Sequence, residues 1–422
     1  MPLHGDEKTL GRGHVFLLLA GFAVLVLARL PNILLQGGRF WAEEGVVYFS
    51  HAWSHPWWQA WFTIHTGYIN FIAGFGAWLG LELGGLAHAP LVTVLLALLV
   101  QMLPPFIILT HAFPWRGSRL GSLVAVALCA VPPVTGEVWL NTITSQFHFA
   151  LAASLILAAP AARGALLGFD MLVIAVAVLS GPATSFLTPL FMLRAAVTRR
   201  RADLLLCAVI LTGLCLQIGV YLTHLEPARD GHLSFQELLS AIALHVVTLG
   251  LAGFGAAQKF AAYSLALHRQ HAFLWPGTVL VLLFYALLGW AVLGSKRHKG
   301  GLALLLGAQI LFAFVSFDHA LFGDFSGVMR VIGDQRYAFA SMVLTGLLLT
   351  GSACASEGGG KFLRAALAGY VLAVGIWNYR AGSAPFADGP AWAPQIRQWR
   401  QNPRMVLSVW PDSWYMQLPP RR

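Results

Sequence analysis

Charge is what this sequence has least of. Asp, Glu, Lys and Arg make up 10% of its 422 residues, against about 25% in an average soluble domain, while 58% are hydrophobic. So few charges cannot cover so much apolar side chain in water, so the surplus has to face lipid. Cysteine is scarce as well. Cys129, Cys207, Cys215 and Cys354 lie in or beside apolar segments, with no CxxC spacing and no histidine at ligand distance. They are packing residues, which excludes a Cys-based zinc or redox centre. No repeat of fixed period is visible, which counts against a transporter built from duplicated halves. The run Val15 to Leu30 after Lys8 and Arg12 lacks a small-x-small cleavage site, so it is expected to stay as a helix rather than leave as a signal peptide.

What is abundant is apolar run. A bilayer core takes roughly 20 apolar residues per helix, and runs of that kind recur from His14 almost to Trp377. The expected fold is all-α and polytopic, with about 11 spans. The formal charge of +10 sits in short clusters between the runs. These are Lys8 with Arg12, Arg116 with Arg119, Arg199 to Arg201, Lys296 with Arg297 and Lys299, and Lys361 with Arg364. Positive loops stay cytoplasmic, so the basic balance reads as topology with membrane lipids as neighbours, and not as a nucleic-acid surface. It predicts a bacterial-type inner (plasma) membrane protein with a cytoplasmic N-terminus and an extracytoplasmic C-terminus.

Holding every basic cluster inside orients the chain. A first helix, 14 to 31, delivers residues 36–88 to the outer face as a long loop rich in Trp, His and Gly. Its stretch Ile69 to Leu86, broken by glycines and Glu82, suits an interfacial helix. Spans come next at 90–113, 120–132 and 147–162, then a short pair of half-length helices around Ser180-Gly181-Pro182 before Arg199. Leu204 to Tyr221 goes outward. Residues 223–274 then lie outside, unless 238–256 forms a hairpin in the membrane with the residues after it. Spans at 277–293, 302–314, 338–350 and 365–377 complete a transmembrane domain of 1–377, and 378–422 is expected to be an ordered outer tail carrying Trp392, Trp399, Trp410 and Trp414.

With that sidedness Glu43, Glu44, Glu137, Asp318, Asp324 and Asp334 all fall on the outer face or near it. Two carboxylates beside a bilayer are costly to desolvate, and desolvation raises a carboxylate toward the range of a useful base. Neighbours on a helix point about 100° apart, so one of Glu43 and Glu44 is expected to act while the other binds a metal or an anchoring amide. Arg336, with Arg330 and Arg39, carries a permanently charged donor fork, which also suits an interfacial arginine that snorkels to headgroups. Glu137, Asn141 and Gln146 gather between the third and fourth spans, where planar polar groups suit sugar hydroxyls and ordinary loop solvation suits them equally. His51, His55 and His65 with Glu44 raise a divalent metal, against interfacial packing among Trp53, Trp57, Trp58 and Trp61.

Three short motifs, in order and on one side, resemble the GT-C membrane glycosyltransferases. Glu43-Glu44-Gly45 with Tyr48 and Phe49 is similar to the acidic pair in the first outer loop of that class. Ser180-Gly181-Pro182-Ala183 followed by Leu187-Thr188-Pro189-Leu190 resembles the Lys-Gly-Pro turn of lipid A aminoarabinose transferases and protein O-mannosyltransferases. Gly333-Asp334-Gln335-Arg336-Tyr337 resembles the Arg-Tyr that opens a late inward helix there. The chain departs by carrying Glu-Glu for Asp-Glu and Ser180 for the lysine. The resemblance implies a sugar donor on a polyprenyl phosphate, an extracytoplasmic glycan or lipid acceptor, inversion, Glu43 as general base with Glu44 beside it, Arg336 at the donor phosphate with Arg39 and Arg330 as helpers, and Asp334 and Tyr337 at the substrate. The alternatives are a polar-lipid flippase or transporter, and a non-catalytic subunit of cell-envelope polysaccharide assembly.

Overall fold

The computed structural model describes residues 11–224, 233–320, 325–333 and 335–419, apart from the side chains of 318–320. Asp324 and Asp334 therefore lie outside the described residues, as does the side chain of Asp318. The chain is a helical bundle of multi-pass membrane character. Among the described residues the paired strands are two short antiparallel hairpins, Ile64–His65 with Tyr68–Ile69 and Leu407–Val409 with Trp414–Met416.

Among the described residues eight helices are long and apolar enough to cross a bilayer, or nine if the pair Ala165–Leu179 and Pro182–Thr198, bent by 118°, is one span. The sequence counted more. Two of its spans are the helices Arg119–Ala130 and Ser145–Ala158, with 12 and 14 residues, which are shorter than a bilayer core requires. Every residue of the second is buried. Hydropathy does not distinguish a side chain that faces lipid from one that faces protein, and this helix is sheathed by its neighbours.

Two long apolar stretches reverse direction inside themselves. In Phe71–Gln101 the break is Gly85, at φ 52°, and a Cβ on Gly80 would stand 3.0 Å from the Ala89 carbonyl oxygen. Residues nine apart in a straight helix are about 13 Å apart along its axis, so the chain turns back here. The leg from Phe71 to the turn is the segment in which the sequence predicts an interfacial helix. In Phe235–Arg269 the break is Gly253, at φ 80°. The His268 ring nitrogen comes within 3.4 Å of the Glu237 carboxylate, so the two legs form the hairpin the sequence raised for this region.

The bundle has two chemically different ends. At one, the Arg194 guanidinium bonds Asp203 at 2.6 Å, Arg364 donates to Ser356 at 3.0 Å, and the Lys296 amide reaches the Ala355 carbonyl. This is the end of the basic clusters. At the other, Arg29 donates to Thr135 at 3.0 Å and to the Ala130 carbonyl at 2.9 Å, beside the first loop and the tail. The tail is not a separate layer. Trp410 exchanges backbone hydrogen bonds with Phe40 and Ala42, Trp53 donates to the Pro419 carbonyl at 2.8 Å, and Trp392 to that of Leu86 at 2.8 Å. Tail and first loop share one core that includes Phe40, Phe49, Trp392 and Val409.

Candidate functional site

Glu43 and Glu44 open a π-helical turn, Glu44–Phe49, and the two carboxylates part ways as neighbours on a helix must. Glu44 is fully buried. One of its oxygens accepts from the Thr142 amide at 2.8 Å and the Thr142 hydroxyl at 2.6 Å, and the other from the Trp41 amide at 3.0 Å. Burial pushes its pKa up, while those hydrogen bonds and the charge of Arg39 pull it down. A carboxylate so occupied is an anchor. It ties the first loop to residues 136–144, a contact that nothing in the spacing of Glu44 and Thr142 announces.

Glu43 is half-buried, and among the described residues its carboxylate has no hydrogen-bond or ion-pair partner. It lies near Tyr48, a fully buried ring whose hydroxyl is pushed well up by burial, then by Tyr68 and by Glu43. Tyr68 comes from the hairpin whose turn, Thr66-Gly67, has φ of 51° and 79°. That is the sign pattern of a type I′ turn, for which Thr-Gly is a fainter sequence signal than Asn-Gly. The hairpin is clasped from below by Gln217, which accepts from the Ile69 amide and donates to the Ile69 and Val178 carbonyls, all at 3.0 Å. Tyr68 is half-buried, and desolvation raises its pKa. Hydrogen bonds with Thr66 and Gln146 and the charge of Arg336 oppose the rise, so Gln146 and Arg336 stand beside it.

Arg336 is partly exposed, hydrogen-bonds Glu137, and lies with its guanidinium 5.0 Å over the Tyr337 ring. Tyr337 packs edge-on to Phe147 at 5.7 Å. The break at Gly181 arrives from the other side: its φ is 135°, and a Cβ there would collide with Gln146 Oε1. Ser180 accepts the Ile72 amide at 3.3 Å and donates to the Val176 carbonyl at 2.7 Å. First loop, 136–146 segment, bent pair and late helix thus converge at one end, around Glu43, Tyr68, Gln146, Glu137, Arg336 and Tyr337.

Other expected ligands are committed elsewhere. Arg39, predicted as a phosphate helper, is 1% exposed. It donates to the Phe386 carbonyl at 2.7 Å and the Trp139 carbonyl at 3.0 Å, between the Trp41 and Trp410 rings. Burial lowers its pKa to about 9, with Glu44 and Glu137 holding it up, so it stays charged at neutral pH as an internal strut. Asn141 is fully buried. Its amide donates to the Glu137 and Trp139 carbonyls and its oxygen accepts from Thr144, which leaves nothing for a sugar hydroxyl. Glu137 holds Arg336. Arg330 is exposed. His51 and His55 stack on each other at 3.9 Å while His65 faces Tyr48. Among the described residues no group of three His, Cys, Asp or Glu side chains is placed to hold a metal ion.

The backbone here is strained. Ala42, Thr66, Val134 and Leu140 all have φ between 45° and 57°, although none is glycine. Each such residue costs on the order of 1–3 kcal/mol and persists only where the surroundings over-determine it, which is common at functional sites. Behind the site, Met342 lies about 9 Å along the helix from Arg336, by the rise per residue. It lines an apolar seam with Leu128, Val131, Val246 and Gly375. The seam holds about 20 Å³, so a lipid chain enters it only if the helices part. No family model, curated protein or solved structure matches this chain.

Proposed function

We propose that this chain is a membrane glycosyltransferase of GT-C type that moves a sugar from a polyprenyl-phosphate donor to an extracytoplasmic glycan or lipid acceptor, with inversion. The observation that carries the proposal is the division of labour in the acidic pair: Glu44 is saturated and buried, while Glu43 is left open at the end of the bundle where Arg336 and Tyr337 also lie. Phosphate is a good leaving group, so the reaction needs one proton acceptor and one cation. It does not need the second carboxyl that a glycosidase uses to protonate its leaving oxygen.

In this mechanism Glu43 takes the acceptor's hydroxyl proton as the oxygen attacks the anomeric carbon. The bond from that carbon to the phosphate oxygen breaks, and its electron pair leaves on polyprenyl phosphate. Arg336 holds that phosphate, oriented by Glu137 and by the Tyr337 ring. Gln146 and Tyr68 offer hydrogen bonds and a ring edge to the sugar.

The test is release of polyprenyl phosphate from polyprenyl-phosphate sugars by the reconstituted chain in the presence of envelope glycans. Transfer lost in Arg336→Gln, with polyprenyl-phosphate binding weakened about tenfold or more, is expected from the loss of one or two charge-assisted hydrogen bonds. A chain that translocates the donor unchanged would instead be a flippase, and one that assembles with partners while Glu43 is dispensable would be a non-catalytic subunit.

A further inference from the structure

We propose that a second site, a pocket between the tail helix Trp392–Gln401 and the first loop, binds the phosphate of an anionic lipid headgroup. The pocket has a volume of about 240 Å³ and is lined by Gln36, His88, Trp392, Ile396, Arg397 and Arg400, with glycine and alanine between them. It shares no residue with the Glu43 site and does not rest on the transferase mechanism.

Arg397 and Arg400 are three apart on one helix, so they share a face, where like charges repel unless an anion lies between them. Among the described residues neither guanidinium has a hydrogen-bond or ion-pair partner. No carboxylate lines the pocket. The nearby Asp388 is engaged by the Gln36 amide nitrogen at 3.0 Å, which leaves Gln36 Oε1 buried and unbonded. Trp392 is fixed as the floor by its bond to the Leu86 carbonyl. Two guanidiniums and an imidazole over a rigid indole suit a phosphate, which accepts from a planar donor fork.

The surroundings name the source of that phosphate. Leu35, next to Gln36, is 83% exposed, and Leu83, just before the turn that carries His88, is 72% exposed. Cationic pocket and bare leucines side by side are what a lipid presents in mirror image, a charged head above an acyl chain. In this arrangement the tail grips the membrane surface through the same helix that packs on the first loop.

The experiment is native mass spectrometry of the full chain in detergent micelles, titrated with phosphatidylglycerol, phosphatidylcholine or inorganic phosphate. The wild type should hold phosphatidylglycerol in preference to phosphatidylcholine. Arg397→Gln with Arg400→Gln should weaken that binding by about tenfold or more, since each lost bond is charge-assisted. The double lysine variant should fall between, because it keeps charge and loses the fork. Arg199→Gln with Arg200→Gln, exposed at the opposite end, should change nothing here. Unaltered phosphatidylglycerol binding in the glutamine variant, with its unfolding temperature intact, contradicts the site. Inorganic phosphate binding as tightly as the lipid contradicts the lipid as its ligand.

Discussion

Glu43 and Glu44 show how much of a site one dipeptide can carry and how little the dipeptide says about it. Adjacency on a helix predicts that the two carboxylates diverge. Which one becomes the anchor depends on Thr142, 98 positions away, and no local pattern encodes that. Removing the Thr142 hydroxyl with Thr142→Val should cost about 1.5–3 kcal/mol, since the bond is to a carboxylate. The same change should alter the pH dependence. The pKa of Glu44 is raised on folding, so the native state binds the extra proton, and this group's contribution to stability is full below the ordinary value of 4.5 and is lost as pH rises through the raised value. With one lowering contact gone the fall should steepen and extend to higher pH, and unfolding temperature measured across pH checks this. Arg39 makes a second case. Its charge near the loop predicts a phosphate ligand, and the structure uses that charge to tie carbonyls together. Arg39→Ala should destabilise the chain by about 3–5 kcal/mol, because two buried carbonyls and two carboxylates lose their counterpart. Lysine at this position should rescue little of it, having no planar fork.

Among the elements, the bent pair is the one whose geometry the sequence states most openly. Ser180-Gly181-Pro182 stops one helix and starts another, and the left-handed φ at Gly181 admits only glycine with ease. Gly181→Ala should push Gln146 out of place as well as strain the backbone. It should cost about 1–3 kcal/mol and lower transfer more than the unfolding temperature alone explains. Runs of apolar residues likewise reveal most of the long helices. The reversals at Gly85 and Gly253 are less legible, since a glycine inside an apolar run marks a break without saying how far the chain bends. The short helix Ser145–Ala158 is hard to read for a different reason: a wholly buried helix and a lipid-facing one are equally apolar. Gly45 is informative only in retrospect. Its hydrogen leaves room for Val409, whose Cγ1 would stand 2.8 Å from a Cβ there, and that close approach is why a small residue comes after the acidic pair.

The molecule as a whole is organised by the join between its first loop and its last residues. Those segments are more than 300 positions apart and lock through Trp41, Trp53, Trp392 and Trp410. The tail's tryptophans announce an ordered cap, but the partner of that cap becomes visible only when the chain is folded. Trp410 is almost wholly buried against Arg39 and Gly389, so Trp410→Ala should cost about 3–5 kcal/mol and make residues 40–62 sensitive to proteolysis in detergent. The polarity of the bundle, with basic clusters at one end and Glu43, Glu137 and Arg336 at the other, would confine the proposed transfer to one membrane face. The deciding experiment is sugar transfer by reconstituted Glu43→Gln, compared with wild type at equal amounts of folded, membrane-inserted protein. The transferase mechanism requires transfer to fall by a factor of about 100 or more, the usual contribution of a general base, while the unfolding temperature stays where it was. Transfer at the wild-type rate would mean that no carboxylate of the first loop takes the acceptor's proton.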